Sequence, residues 1–410
     1  MRTVNPASPG SGRQDESDGV TCASCGRALD WAALVAGGRC PWCGPASRPP
    51  ARPSEAAGPP DAAAARRHLD AGVRAARDGE HRRAEAEFTA AIRLDPFSAV
   101  ALNNRGFSRS ALRDYPAAVA DFDAALRLDP GFAAAHNNRG LALVALGEYA
   151  KAVADFDRAL ALDPDLALAS LNRGLARAAL GDHAAAIGDF DRALALRPTL
   201  ANAFHNRGFS HTAQGAFDRA LGDYGEAVRL RPAEPTGWYN RGFVHALLGD
   251  YPAAASDYDE AVRLRPDFAD ALFNRADLNR LRGQLAEAVS DFDSVVRLRP
   301  GFVPAWLRRG ECRFETGDHA RAVADFTEAV RLQPDLPSAH KYLGVALLAL
   351  GDAARAEKCL SNAIDLDPVY AEAYQHRGNA RLLLGDHKGA AIDHADAARL
   401  NPGSSAAPAH

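Results

Sequence analysis

The chain has 410 residues, a formal net charge of −4, and 24% charged and 47% hydrophobic residues, so no global bias toward nucleic acid or acidic membranes is present. No apolar run is long enough to span a membrane, and the N-terminal MRTVNPASPGSGRQDESD lacks the apolar stretch of a secretory signal. A cytoplasmic location and no membrane partner are expected.

In chain order, residues 1–20 are polar and rich in Pro, Gly and Ser, and are expected to be disordered. Residues 21–45 carry Cys22-x-x-Cys25 and Cys40-x-x-Cys43, each pair followed by glycine, Gly26 or Gly44. Four thiolates suit tetrahedral Zn²⁺, and so short a segment needs a metal to fold. The pattern resembles a zinc ribbon, which implies Cys22, Cys25, Cys40 and Cys43 as ligands of a structural Zn²⁺. A rubredoxin-like iron site, a redox pair and disulfides are the alternatives. Residues 46–61, rich in Pro and Ala, read as a semi-rigid linker.

Residues 62–403 are periodic. Pro96, Pro130, Pro164, Pro198, Pro232, Pro266, Pro300, Pro334, Pro368 and Pro402 follow one another at intervals of 34. A strict period in this range marks a stacked repeat array. Within one period, Ala133 to Leu146 is rich in Ala and Leu and predicts a first helix, A, ended by Gly147. Tyr149, Ala152, Val153, Phe156, Ala159 and Leu160 fall on one face of a second helix, B, stopped at Asp163-Pro164. Glu148 is expected to cap it, as are Asp114, Asp182, Asp250, Asp318, Asp352 and Asp386 in other periods. The first repeat diverges, opening with Arg66, Arg67 and His68, with Arg67 where the other nine repeats have Ala or Gly, as a polar end cap requires. Residues 404–410 read as a short tail, and His394 and Arg399 are expected to make the last hairpin's outer face polar.

Counted from Ala65, ten repeats share Ala at position 20, nine share Gly at position 8 and nine share Ala at position 27. With an aromatic at position 24 and Pro at 32, the pattern resembles the tetratricopeptide-repeat (TPR) family. That resemblance implies an all-α fold: a right-handed superhelical solenoid of about ten helix-turn-helix repeats, whose A helices line a concave groove.

Three columns of residues bear on function. Arg occupies position 7 and Asp position 23 in the same eight repeats, and where Arg gives way to Leu343 or Ala71, Asp gives way to Cys359 or Glu87. This joint loss predicts an Arg–Asp ion pair that fixes register. Position 6 is Asn in six consecutive repeats: Asn104, Asn138, Asn172, Asn206, Asn240 and Asn274. The superhelical TPR domain of O-GlcNAc transferases is similar in carrying Asn there, which implies a grip on the backbone of an extended peptide. An amide offers both donor and acceptor and suits any peptide sequence, though bridging between neighbouring helices is the rival role. Phe107, Leu141, Leu175, Phe209, Tyr239 and Phe243 are expected to form an apolar floor beside the Asn column. Asp270, Asp277, Glu311 and Glu315, with Arg280 among them, predict a later stretch that favours basic side chains.

Single Cys312 and Cys359 read as core residues, and His81, His183, His319 and His387 at position 17 as packing residues. No Walker loop, H-E-x-x-H or G-x-S-x-G is present, so neither an enzyme nor a small-molecule substrate is expected. The expected function is a non-enzymatic scaffold that binds a protein or peptide partner. The second reading, a zinc-ribbon adaptor for nucleic acid or transcription machinery, is opposed by the six Arg and five acidic residues of positions 1–60, which make no basic patch.

Overall fold

The computed structural model describes residues 39–40, 44–45 and 62–401. The backbone of Arg39–Cys40 (β1) pairs antiparallel with Gly44–Pro45 (β2), Cys40 opposite Gly44. Cys22, Cys25 and Cys43, and with them the expected metal centre, lie outside the described residues, as do the expected N-terminal disorder, the linker and the tail.

Twenty α-helices follow among the described residues. They fall into two compact units, one ending at Pro232 and the other beginning at Ala233. The first holds α1 Ala62–Arg77, α2 His81–Leu94, α3 Ala99–Ala111, α4 Tyr115–Leu128, α5 Ala133–Ala145, α6 Tyr149–Leu162, α7 Ala167–Ala179, α8 His183–Leu196, α9 Ala201–Ala213 and α10 Phe217–Leu230. The second holds α11 Pro235–Leu247, α12 Tyr251–Leu264, α13 Ala269–Leu281, α14 Leu285–Leu298, α15 Val303–Glu315, α16 His319–Leu332, α17 Pro337–Ala349, α18 Ala353–Leu366, α19 Ala371–Leu383 and α20 His387–Leu400. Odd-numbered helices are the A helices and even-numbered ones the B helices, and within each unit every helix packs on the next.

The hairpin turn follows from one backbone requirement. Position 15 takes a positive φ, which glycine adopts at no steric cost. Gly147 has φ 77° and Gly181 83°; in the second repeat the position is Arg113, at φ 64°. The six aspartate caps form as expected; Asp182, for example, accepts from the Ala185 N–H. Glu148 does not cap α6. Its longer side chain instead reaches Lys151 on the same helix.

Close approach of A to B defines the core. A Cβ placed on Gly140 would lie 2.6 Å from Cε1 of Phe156, and Gly106, Gly174 and Gly310 meet Phe122, Phe190 and Phe326 in the same way. These rings are fully buried, as are the position-20 alanines beside them. The first repeat is polar outward, with Arg66 and Arg67 exposed and His68 Nδ1 2.7 Å from Glu87. The last hairpin departs from the expected polar outer face, since Leu383 and Ile392 are more than half exposed.

Candidate interaction surfaces

The predicted Arg–Asp pairs form in all eight repeats, within one repeat and across the A–B hairpin. Arg139 donates from Nε to Asp155 Oδ2 at 2.7 Å and from Nη2 to Oδ1 at 2.5 Å. Its Nη1 donates backward to Asp123 of the preceding B helix at 2.6 Å. Arg173, Arg207, Arg275 and Arg309 repeat this three-point arrangement with their own carboxylates. The aspartates of the pairs are buried. The hydrogen bonds to Asp155 raise the Arg139 guanidinium above its ordinary pKa against the opposing effect of burial. Where the pair is missing, Leu343 and Cys359 join one apolar cluster with Phe326 and Leu360. The ladder is therefore structural: it clamps A to B in eight repeats, and at Arg139, Arg173, Arg207, Arg275 and Arg309 it also ties the repeat to the B helix before it.

The Asn column of the first unit is mostly buried. Asn104, Asn172 and Asn206 are each 8% exposed, and Asn138 is half-buried. Their amides bond laterally: Asn138 Nδ2 donates to Asn103 Oδ1 at 3.1 Å, and Asn172 Nδ2 to Asn137 Oδ1 at 3.2 Å. Asn206 Nδ2 donates to the Asn202 carbonyl at 2.7 Å. Asn104 accepts from Asn103, while its own Nδ2 is buried with no partner among the described residues. Three residues onward on the same helical face, Phe107, Leu141, Leu175 and Phe209 are half-buried. They form a row of accessible apolar side chains on four successive A helices. His81 and His183 pack edge-on against Phe107 and Phe209, at ring separations of 6.4 and 6.0 Å, the packing role expected of position 17.

The second unit treats these columns differently. Tyr239 is fully buried between Tyr258 and Phe268, at ring separations of 6.0 and 4.9 Å, and burial pushes its phenol pKa well up. Phe243 and Asn240 are buried too, so these three belong to the core rather than to an open floor. Asn274 Nδ2 donates to the Tyr239 hydroxyl at 3.2 Å. The expected acidic stretch is largely neutralised. Arg299 holds Asp270 bidentately at 2.7 and 2.8 Å, Arg280 holds Asp277 at 3.1 Å, and Arg308 holds Glu311 at 2.8 Å.

Further along, position 6 changes from Asn to Arg308, Tyr342 and His376 in three successive repeats. These residues, with Glu311, Glu315 and Lys341, line an open cavity of about 360 Å³. Lys341 is buried, its Nζ 3.0 Å from Glu372 and 3.8 Å from the centre of the Tyr342 ring. The end of the Asn run was the signal by which the sequence could have revealed this cavity.

Six segments of the chain, residues 108–167, 139–201, 207–267, 248–301, 282–337 and 343–405, match the family model described as tetratricopeptide repeat. A comparison with curated proteins finds no match. Among solved structures, YrrB, described as a TPR protein with an unusual peptide-binding site, is 25% identical, with a TM-score of 0.40 over 45% of this chain and 95% of its own. The C-terminal part of a TPR repeat-containing protein from Cytophaga hutchinsonii is 17% identical, with a TM-score of 0.50 over 58% of this chain and 97% of its own. MamA is 20% identical, with a TM-score of 0.38 over 39% of this chain and 94% of its own.

Proposed function

Since the chain belongs to the tetratricopeptide-repeat family, we propose that it is a non-enzymatic protein-interaction scaffold whose first unit binds an extended peptide along its A helices. The observation that carries this reading is the row Phe107, Leu141, Leu175 and Phe209, half-buried beside the Asn104–Asn206 column. Four apolar contacts at the spacing of the repeat offer successive side-chain subsites. The amide column gives them a polar border, within which the half-buried Asn138 is the amide most open to a peptide backbone. Lateral bonds such as Asn172 to Asn137 hold the amides in place before a ligand arrives, which lowers the ordering cost of binding. No nucleic acid, small-molecule substrate or membrane has a role in this reading, and a cytoplasmic location goes with it.

The test is selection of a displayed random-peptide library on the full chain, followed by affinity measurement of the enriched peptides. Leu141→Glu and Leu175→Glu should each weaken binding about tenfold or more. Leu180→Glu, at an exposed position outside the row, should leave affinity unchanged with helicity intact in all three. Equal binding to all variants would remove the row from the site.

The amino-terminal cysteines are proposed to hold one structural Zn²⁺ through Cys22, Cys25, Cys40 and Cys43. The support is their spacing and the soft, closed donor set. Metal analysis of the purified chain, with Cys25→Ser and Cys43→Ser as controls, decides between zinc, iron and no metal.

A further inference from the structure

Four A helices carry a second arginine four residues after the first, and each reaches the same aspartate as the first. Arg109 Nη1 lies 2.9 Å from Asp121 Oδ2, and Arg177 Nη1 lies 2.8 Å from Asp189 Oδ2. Arg313 and Arg381 make the equivalent bonds to Asp325 and Asp393, both at 2.9 Å. Arg177 and Arg313 also approach the carboxylate of the preceding B helix, Asp157 at 3.7 Å and Asp293 at 2.9 Å. The repeat thus has a built place for a second guanidinium, between carboxylates of successive B helices.

In the fifth repeat both carboxylates are present, as Asp223 and Asp191, but the second arginine is replaced by His211. The shorter imidazole stops with Nε2 3.8 Å from Asp223 Oδ2. His211 is 6% exposed, and its Nδ1 has no partner among the described residues. The space left is a cavity of about 370 Å³ lined by Asp191, Arg207, His211, Arg219, Gly222 and Asp223. Gly222 keeps one wall open, for nothing lies within 4 Å of where its Cβ would be.

We propose that this cavity receives a guanidinium from another molecule, an arginine side chain of a partner, which bridges Asp223 and Asp191 as Arg177 spans Asp189 and Asp157 one repeat earlier. Asp189 accepts from Arg173 and Arg177 at once, so Asp223 can accept a second guanidinium beside Arg207. A lysine ammonium is a point donor and lacks the planar fork that engages two carboxylates together. Arg219, exposed at the rim, is the internal competitor for the same place. Positions 7 and 11 project from α9 on the side away from positions 6 and 9, so the site is separate from the proposed peptide row.

The experiment titrates the full chain with acetyl-arginine amide and with acetyl-lysine amide, reading the ¹⁵N resonances of the His211 imidazole, assigned by their loss in His211→Gln. A saturable shift is expected with the arginine compound, at an affinity at least about fivefold tighter than with the lysine compound. Arg219→Ala should tighten it. Asp191→Asn, an isosteric change at a half-exposed position, should weaken it about fivefold or more, with circular dichroism checking that the helices remain formed. His211→Arg places the group found in four other repeats and should abolish calorimetrically measured binding while raising the melting temperature. Equal response to both compounds, silence in both wild type and Arg219→Ala, or undiminished binding to His211→Arg would overturn the proposal. A peptide containing one arginine, run beside the free amide, separates recognition of a chain from recognition of the side chain alone.

Discussion

Arg139 and Asp155 meet through two parallel hydrogen bonds across the hairpin of the third repeat, with the carboxylate 6% exposed and the guanidinium 25% exposed. Removing one partner strands the other where water cannot compensate it. Arg139→Ala is expected to cost about 3 kcal/mol, and the paired change Arg139→Leu with Asp155→Leu far less. The ninth repeat already carries the apolar solution, with Leu343 beside Cys359. Denaturant midpoints, with hydrogen exchange in α5 and α6 to localise the loss, test the difference. Equal losses for the single and double variants would show that the charges contribute through more than their pairing.

Arg113 sits at φ 64°, where nine other repeats place glycine. A side chain with a Cβ is strained in that conformation, and glycine is not. Arg113→Gly is expected to stabilise the second hairpin by about 1 kcal/mol, net of the extra freedom gained by the unfolded chain. A fall in melting temperature would mean that the Arg113 side chain makes a contribution outweighing the backbone strain.

The hairpin, its ends and its packing could be read from the sequence because each depends on residues near one another in the chain. Gly147 at the turn, Asp182 at the cap and Gly140 against Phe156 are local matters. The Arg–Asp pairs were legible for another reason: repetition within one chain shows two positions changing together, as at Leu343 and Cys359. The candidate site was less legible. Exposure of Asn172 depends on Asn137, one repeat away, and burial of Tyr239 depends on Phe268 packing over it. The neutralisation of Asp270 was hidden because Arg299 lies 29 residues away, at the end of the next helix, and only the fold brings the two together, whereas Arg280 lies one helical turn from Asp277. The cavity at His211 emerges only by comparison with the place that Arg177 fills.

Asp182 and Glu148 occupy equivalent positions, yet only Asp182 bonds a backbone amide of the helix that follows. Asp182→Ala should therefore cost about 1 kcal/mol, Glu148→Ala only a few tenths, and Glu148→Asp should gain toward the full cap. Comparing the three by thermal denaturation isolates the cap from the charge near the helix start. A loss at Glu148→Ala as large as at Asp182→Ala would assign the stabilisation to the Lys151 pairing and the helix dipole instead.

Acidification should weaken the fold through two histidines. Burial is the largest effect holding His211 below its ordinary pKa of 6.5, with Arg207 and Arg219 adding to it against the pull of Asp223 and Asp191. His376 is lowered as well, by burial first and then by Lys341. A histidine whose folded pKa lies below its unfolded value binds fewer protons in the native chain across the interval between the two. Stability therefore falls as pH drops from 6.5 through that interval, and the contribution is fully present above it. His211→Gln keeps a polar side chain of similar reach and removes the titration. Melting temperatures of wild type should fall more steeply between neutral and mildly acidic pH than those of His211→Gln, and a variant lacking both histidines should be flatter still. If His211→Gln keeps the wild-type slope, the imidazole titrates alike in the folded and unfolded chains, and burial does not disfavour its charged form.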